Sequence, residues 1–228
     1  MTSAAGTTSC GWVSRLRRPA HAIKKPTQPH RRLLKNELAA EVDDRRRERA
    51  VELWAMDEHR VGLKLILRRV WARRGKRPVV VVRPRYEWLY VYACVCPETG
   101  ETEFWLAPSV NTETFKLLLQ AFLGKREQAV MLVLDQAGWH VASDIKAMEA
   151  ADRLALKYLP SHSPELQPAE RLWTLVDEPI VNEVFDQLTD LEAALAERCV
   201  ALSGQAERIR KLTLYHWWPG GADRTESD

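Results

Sequence analysis

The apolar run AVMLVL at residues 129–134, with Asp135 directly after it, is the feature that most constrains the fold of this chain. A continuous apolar run of this length and composition is typical of a central β-strand that is buried on both faces. An unpaired charge at the end of such a strand is costly unless a metal ion or another partner receives it. Asp135 is therefore a candidate functional residue.

The segments around this strand predict further strands and helices in alternation. The first predicted elements are a helix at 36–50, a buried strand at 51–56 that ends at Asp57, and a strand near Leu63–Leu67. The later ones are a hairpin of 88–96 and 102–107 that turns at Gly100, a helix at 112–123 capped by Asn111, a short helix at 143–150, a strand at 154–160, a helix through Glu170 and Trp173, and a helix at 190–201. This order predicts an α/β fold with a mixed central sheet flanked by helices.

Two further carboxylates, Asp57 and Glu170, stand in settings that resemble that of Asp135. Asp57 follows an apolar strand, and Glu170 lies on a helix that the Pro-rich turn SHSPELQP opens. Three distant segments can thus bring three carboxylates to one point. An acidic cluster of this kind binds divalent metal ions and cleaves phosphodiesters.

Each of these carboxylates also has an ordinary structural interpretation. Asp57 could be a turn or helix cap, and its neighbour Glu58, which points to the opposite face of a strand, is the nearest competitor for its role. Glu170 could simply complement the helix dipole, as could Glu165. Asp177, further along the same helix, is an alternative ligand.

Positive charge is concentrated in two stretches that contain no acidic residue. Residues 1–36 carry eight Lys or Arg and residues 60–85 carry ten, although the net charge of the whole chain is only +3. Either stretch alone could be a solvated loop. Together, beside a candidate metal site, they favour a polyanionic partner such as DNA. The candidate DNA-binding residues are Arg68, Arg69, Arg73, Arg74, Lys76 and Arg77.

Length and composition indicate one sizeable domain, since the chain has 228 residues of which 46% are hydrophobic. No apolar run approaches the ~18 to 20 residues that a bilayer span requires, and the N-terminal segment lacks the apolar region of a secretory signal. We therefore expect a cytosolic protein. The four cysteines lack zinc-ligand spacing, so no structural zinc site is expected.

The segments ELWAMDE, LVLDQAGWH and YLPSHSPELQPAERLW resemble the three signature blocks of the DDE transposases of the mariner superfamily, especially the bacterial insertion-sequence branch. The resemblance runs from Glu52 to Trp217, and 34 residues separate Asp135 from Glu170, as that superfamily's pattern requires. It implies an RNase H-like fold with Asp57, Asp135 and Glu170 as the catalytic, metal-binding residues. Two Mg²⁺ or Mn²⁺ ions, cleavage at the element ends and strand transfer into target DNA are implied as well.

The resemblance also sets expectations for domains, partners and location. Residues 1–36 lack periodicity and are expected to form a basic irregular arm, followed by a catalytic domain at 37–218 and a disordered tail at 219–228. Double-stranded DNA is the expected partner, with a homodimer in the DNA complex. Because proteins of the superfamily usually begin with helix-turn-helix modules, such a part is expected to be encoded separately. The expected location is the bacterial cytosol, in association with the nucleoid.

Several residues of the blocks remain open to two interpretations. His140, five residues after Asp135, is an accessory candidate that could touch the scissile phosphate or a metal-bound water, although a histidine there is often a structural hydrogen-bonding residue. Glu58 is the other accessory candidate. Trp139 and Trp173 are predicted to lie in the core, beside apolar neighbours.

Two other functions compete with a transposase. One is an inactive or truncated remnant that only binds DNA or dimerises. Gln136 and Gln167, which replace residues that are usual in the family, are compatible with it. The other is a glycosidase that uses a carboxylate pair without metal. A glycosidase gives no reason for the two basic stretches.

Overall fold

The computed structural model describes residues 28–71, 74, 75, 79, 85–151 and 153–220. The strands are β1 (Val51–Gly62), β2 (Trp88–Val95), β3 (Thr102–Ala107), β4 (Ala129–Leu134) and β5 (Leu154–Tyr158). The α-helices are α1 (Gln28–Glu48), α2 (Thr112–Gly124), α3 (Ser143–Ala147), α4 (Trp173–Val176), α5 (Leu188–Ser203) and α6 (Ala206–Thr213). Short 3₁₀ turns lie at Met148–Ala151, Pro164–Leu166 and Pro168–Leu172.

The five strands form one mixed sheet in the order β3-β2-β1-β4-β5. The strands β1, β2 and β3 pair antiparallel, whereas β4 runs parallel to both β1 and β5. All six residues of β4 are buried, because helices cover both faces of the sheet at this strand. The predicted α/β architecture with a mixed central sheet flanked by helices is confirmed.

Alternation along β1 divides the core into two layers. Leu53 and Ala55 pack in the layer that contains residues of α1, α4, α5 and α6. Trp54 and Met56 pack in the opposite layer, with α2 and α3. Successive side chains of a strand point to opposite faces, so the next pair of residues, Asp57 and Glu58, is divided between the two layers as well.

The strand β1 does not end at Asp57, as predicted, but continues to Gly62. Its first half pairs with β4, and its second half pairs with β2 from Ala55 onward, so Asp57 lies within an antiparallel ladder. The predicted strand near Leu63–Leu67 is wrong. In that segment only Ile66 forms an isolated bridge, to Val181.

The structure also corrects two helices. The first helix begins at Gln28, so residues 28–36 are helical and not part of an irregular arm. Glu170 lies in the 3₁₀ turn Pro168–Leu172 and not in an α-helix, which begins only at Trp173. In that turn the Glu170 N–H donates to the Gln167 carbonyl, the i to i+3 pattern of a 3₁₀ turn.

Residues 1–27 and 221–228, which hold most of the predicted arm and tail, lie outside the described residues. Among the helices of the described part of the chain, none is long and apolar enough to cross a membrane.

Candidate active site

Strand register places the two aspartates side by side, Asp57 within β1 and Asp135 directly after the neighbouring strand β4. Ala55 of β1 pairs with Val133 of the parallel strand β4, and each aspartate follows its paired residue by two positions. Asp57, Asp135 and Glu170 then line a single cavity of about 400 Å³. The three carboxylates predicted from the sequence therefore lie in one site.

The turn that carries Glu170 is fastened directly to β1. Gln167 donates from Nε2 to the Met56 carbonyl at 2.8 Å, and Tyr215 donates from its hydroxyl to the Gln167 carbonyl at 3.3 Å. Trp173 donates from Nε1 to Asp57 Oδ2 at 2.9 Å. These bonds fix the position of the turn relative to Asp57.

Trp173 is a site residue that the sequence reasoning assigned only to the core. Its side chain is indeed buried, but a buried indole N–H requires an acceptor, and here the acceptor is a carboxylate of the site. A signal was available in the sequence. Trp173 follows Glu170 by three residues, and residues at that spacing share a face of a helical turn.

Two of the three carboxylates hold their protons unusually tightly. Burial raises the pKa of Asp57 to about 7; the Trp173 hydrogen bond opposes the shift, and repulsion from Glu170 and Glu58 adds to it. Burial also raises the pKa of Glu170, where His59 opposes the shift and Asp135 adds to it. Negative charge at this side of the cavity is therefore not compensated by the protein.

Asp135 has the opposite electrostatic character. Burial alone would raise its pKa, but hydrogen bonds from His140 and from the Ala137 N–H lower the pKa below its ordinary value. His140 Nδ1 lies 2.7 Å from Asp135 Oδ1, and its Nε2 lies 2.7 Å from Glu58 Oε1. The histidine ring is fully buried and is not part of the cavity lining. It therefore contacts Asp135 from the protein interior and not from the cavity.

Asp177, the alternative ligand, does not belong to the cavity lining. Its carboxylate instead accepts from His59 at 2.9 Å and lies 3.5 Å from the Arg68 guanidinium. Arg68 donates from its backbone N–H to Asn182 as well, so this candidate DNA-binding residue is partly engaged within the fold. Among the other candidates, Arg69 and Arg74 are exposed, and Arg73, Lys76 and Arg77 lie outside the described residues.

The donor set of the cavity suits a hard divalent cation. Among the described residues, no three His, Cys, Asp or Glu groups stand close enough to form a ready-made cation site. Asp57, Asp135 and Glu170 nevertheless line the same cavity, and mutual repulsion contributes to the raised pKa of two of them. Carboxylate oxygens are the ligands that Mg²⁺ prefers, so these three residues could hold such an ion.

Comparison with known sequences gives two matches. A family model described as DDE superfamily endonuclease matches residues 52–192. A protein of Sinorhizobium fredii, named "Uncharacterized protein y4pE/y4sA", is 31% identical over 137 residues, which are 57% of this chain and 96% of that protein. The family match includes Asp57, Asp135 and Glu170.

Comparison with solved structures gives matches to Mos1. The Mos1 transposase paired-end complex with left transposon end has a TM-score of 0.60 at 14% identity, covering 97% of this chain and 67% of the Mos1 chain. The catalytic domain of Mos1 mariner transposase has a TM-score of 0.55 at 14% identity, covering 87% of this chain and 95% of that domain. At these identities the likeness establishes the fold, and the predicted RNase H-like fold is confirmed.

Proposed function

Because the chain belongs to the DDE superfamily endonucleases, we propose that it is the catalytic domain of a mariner-type insertion-sequence transposase. In this proposal it cleaves DNA at the ends of its element and joins the freed 3′-hydroxyl to target DNA. The observation that carries the proposal is the convergence of Asp57, Asp135 and Glu170 on one cavity beside the carboxyl end of β4. None of the three is adjacent to another in the chain, so their meeting is a property of the fold.

Asp57, Asp135 and Glu170 would hold divalent cations, Mg²⁺ or Mn²⁺, with two ions expected. Two such ions would activate the attacking water or 3′-hydroxyl and stabilise the leaving oxygen. Two of the similar Mos1 structures are paired end complexes with Mn and with Mg, which supports this assignment.

The surrounding protein groups give Asp135 and Asp57 different protonation states. Asp135 is ionised at neutral pH, since His140 lowers its pKa. Asp57 has a pKa of about 7 and must release its proton before it can act as a ligand. The Trp173 N–H, bonded to Oδ2, holds the Asp57 carboxylate in one orientation throughout. Cation binding should therefore be coupled to proton release from Asp57.

The proposal includes double-stranded DNA as the partner and a homodimer in the DNA complex. Exposed Arg69 and Arg74 lie after β1, the strand that carries Asp57, and can contact phosphates. Arg73, Lys76 and Arg77 are proposed to act with them. This chain corresponds to about two thirds of the Mos1 chain in its DNA complex. The proposal also includes a separately encoded helix-turn-helix part that reads the element ends.

A cleavage assay tests the proposal. The purified chain is incubated with duplex DNA carrying the ends of its element, in Mg²⁺, Mn²⁺ or EDTA. Nicking should require the cation and be lost in Asp135→Ala. Glu165→Gln is the matched control, because Glu165, like Glu170, lies in a 3₁₀ turn that begins with a proline, but it is not a residue of the cavity lining.

Two outcomes would count against the proposal. Cleavage that persists in EDTA or in Asp135→Ala would exclude the three-carboxylate metal site as its source. Salt-sensitive DNA binding without cleavage, also after addition of a helix-turn-helix partner, would instead support the inactive remnant.

A further inference from the structure

A chain of three side chains runs behind the candidate site, from Glu58 through His140 to Asp135. His140 Nε2 lies 2.7 Å from Glu58 Oε1, and His140 Nδ1 lies 2.7 Å from Asp135 Oδ1. These hydrogen bonds connect β1 to the turn after β4. Glu58 and His140 are 82 residues apart in the sequence. Glu58 and His140 lie on the side of the sheet opposite Asp57.

The surroundings of His140 hold its ring in one place. The Phe115 ring lies against it at a centroid distance of 4.4 Å, and the Tyr158 hydroxyl donates to the His140 carbonyl at 2.9 Å. Trp139 adds a second donor to Glu58 at 3.3 Å. His140 has no solvent exposure, so its ring has little freedom to reorient.

The two contacts define the charge state of the ring. Each ring nitrogen faces a carboxylate oxygen, and only the imidazolium form can donate at both nitrogens. A buried cation thus stands between two carboxylates.

The two oxygens of Asp135 are treated differently. Oδ1 accepts from His140 and, at 3.0 Å, from the Ala137 N–H. Among the described residues, no hydrogen-bond donor lies on Oδ2. The carboxylate is thus held by one oxygen while the side chain remains about half exposed at the cavity. This is the arrangement by which outer partners orient a metal-ligating carboxylate.

We propose that His140 is a positioning residue that presents Asp135 to a divalent cation, and that Glu58 holds His140 for this task. The inference rests on the proposed function of the cavity as a cation site. It gives Glu58 a role different from that of a competing ligand, since Glu58 points away from the cavity and its side chain is 7% exposed. His140 acts through Asp135 and does not touch the substrate.

Two substitutions of His140 separate its two contacts. In His140→Asn the amide nitrogen can take the place of Nδ1 and still donate to Asp135, but it cannot reach Glu58. In His140→Gln the amide nitrogen takes the place of Nε2 and donates to Glu58, but not to Asp135. Both variants remove the same buried ring, so a purely structural role would make them equally harmful.

The main readout is the affinity of the full chain for Mn²⁺, measured by titration calorimetry without DNA. His140→Gln should lose about 10- to 100-fold in affinity, and His140→Asn should lose at least several-fold less. Cleavage rates should follow the same order. Equal losses in the two variants, or no loss in either, would overturn the inference.

Glu103→Ala is the matched control. Glu103 bonds the largely buried Arg126 at 2.6 Å, so this change also removes a carboxylate from a buried cation. Neither residue lines the cavity. The variant should melt at a lower temperature and keep the wild-type affinity for Mn²⁺. A matching loss of affinity there would show that general destabilisation explains the His140 results.

A second pair of variants applies if either His140 variant fails to fold. Glu58→Gln keeps an acceptor for His140 Nε2, whereas Glu58→Ala leaves that nitrogen without a carboxylate. The inference requires a greater loss of Mn²⁺ affinity in Glu58→Ala than in Glu58→Gln, and equal affinities would contradict it. Absence of Mn²⁺ binding and cleavage in the wild-type chain would refute the proposed function itself, which separates the two failures.

Discussion

The two sides of the candidate site place their carboxylates in opposite electrostatic surroundings. On one side Asp135 is paired with the buried cation of His140, and its pKa is lowered. On the other side burial raises the pKa of both Asp57 and Glu170, with added repulsion from Glu170 on Asp57 and from Asp135 on Glu170. The comparison indicates that the protein completes the first side itself and leaves the second side short of positive charge, which a bound cation would supply.

Replacement of Asp57 tests this asymmetry with the largest expected effect. Asp57→Asn should lower the cleavage rate by about 10³-fold or more, since it removes the charge of one ligand. The same change should make the metal-free protein more stable, because the buried charge is gone and the amide oxygen can still accept from Trp173. The gain in the free energy of unfolding should not exceed about 4 kcal/mol.

The gain should depend on pH in a defined direction. The pKa of Asp57 is about 7 in the folded state, well above its ordinary value of 3.8. Between these values the folded state holds a proton that the unfolded state releases, so the wild-type free energy of unfolding falls as the pH rises through this window. Urea titrations at pH 5 and pH 8 should show the larger gain for Asp57→Asn at pH 8. A pH-independent difference would contradict the raised pKa.

Cation binding should have the next largest effect on stability. Mn²⁺ at 100 times its dissociation constant should raise the free energy of unfolding by about 2.7 kcal/mol. Below pH 7 the proton on Asp57 competes, so the affinity should fall by up to about tenfold per pH unit. Thermal melts of the wild type and Asp57→Asn, each with and without Mn²⁺, measure this. Equal stabilisation of both proteins would show that Mn²⁺ binds elsewhere.

Replacement of Asp135 should change stability in the other direction. Asp135→Asn weakens the charged hydrogen bond to His140, so the free energy of unfolding at pH 7 should fall by about 1 to 2 kcal/mol, a modest value because the side chain is half exposed. The pKa of Asp135 is lowered in the folded state. Its contribution is therefore present above pH 4 and is lost as the pH falls through the folded pKa. A gain in the free energy of unfolding for Asp135→Asn, like the gain expected for Asp57→Asn, would contradict the difference between the two sides of the site.

The parts of the fold that follow from local pattern could be predicted from the sequence. The run at 129–134 is a fully buried strand, and Asn111 caps α2 by accepting from the Thr114 N–H, as expected. The predicted strand near Leu63–Leu67 failed because its apolar residues find no neighbouring strand. Strand formation depends on a partner as well as on composition.

The contacts that distinguish the two sides of the site could not be predicted. The Trp173 bond to Asp57 joins residues 116 positions apart, and the Glu58 bond to His140 joins residues 82 apart. Such pairs depend on sheet register and on the placement of a loop, which a single sequence does not encode locally. The opposite orientations of Asp57 and Glu58 did follow from strand alternation. Which partner each would meet did not.

Replacement of Trp173 gives the smallest and most selective effect. Trp173→Phe keeps an aromatic ring against the stacked His59 ring, at present 5.0 Å away, and removes only the donor to Asp57 Oδ2. Since that bond lowers the pKa of Asp57, its loss should raise the pKa further and weaken Mn²⁺ binding about fivefold at pH 7. The deficit should shrink at pH 8.5, where the proton no longer competes.

Trp54→Phe is the control for this last prediction. Trp54 is also buried and also donates its indole N–H to a carboxylate, Glu52 Oε2 at 2.7 Å, but it lies in the other core layer and not in the cavity lining. Its replacement should cost similar stability without changing the pH dependence of Mn²⁺ affinity. If both tryptophan variants shift that dependence equally, the Trp173 N–H does not tune Asp57. The pKa of Asp57 would then be determined by burial and by repulsion from neighbouring carboxylates alone.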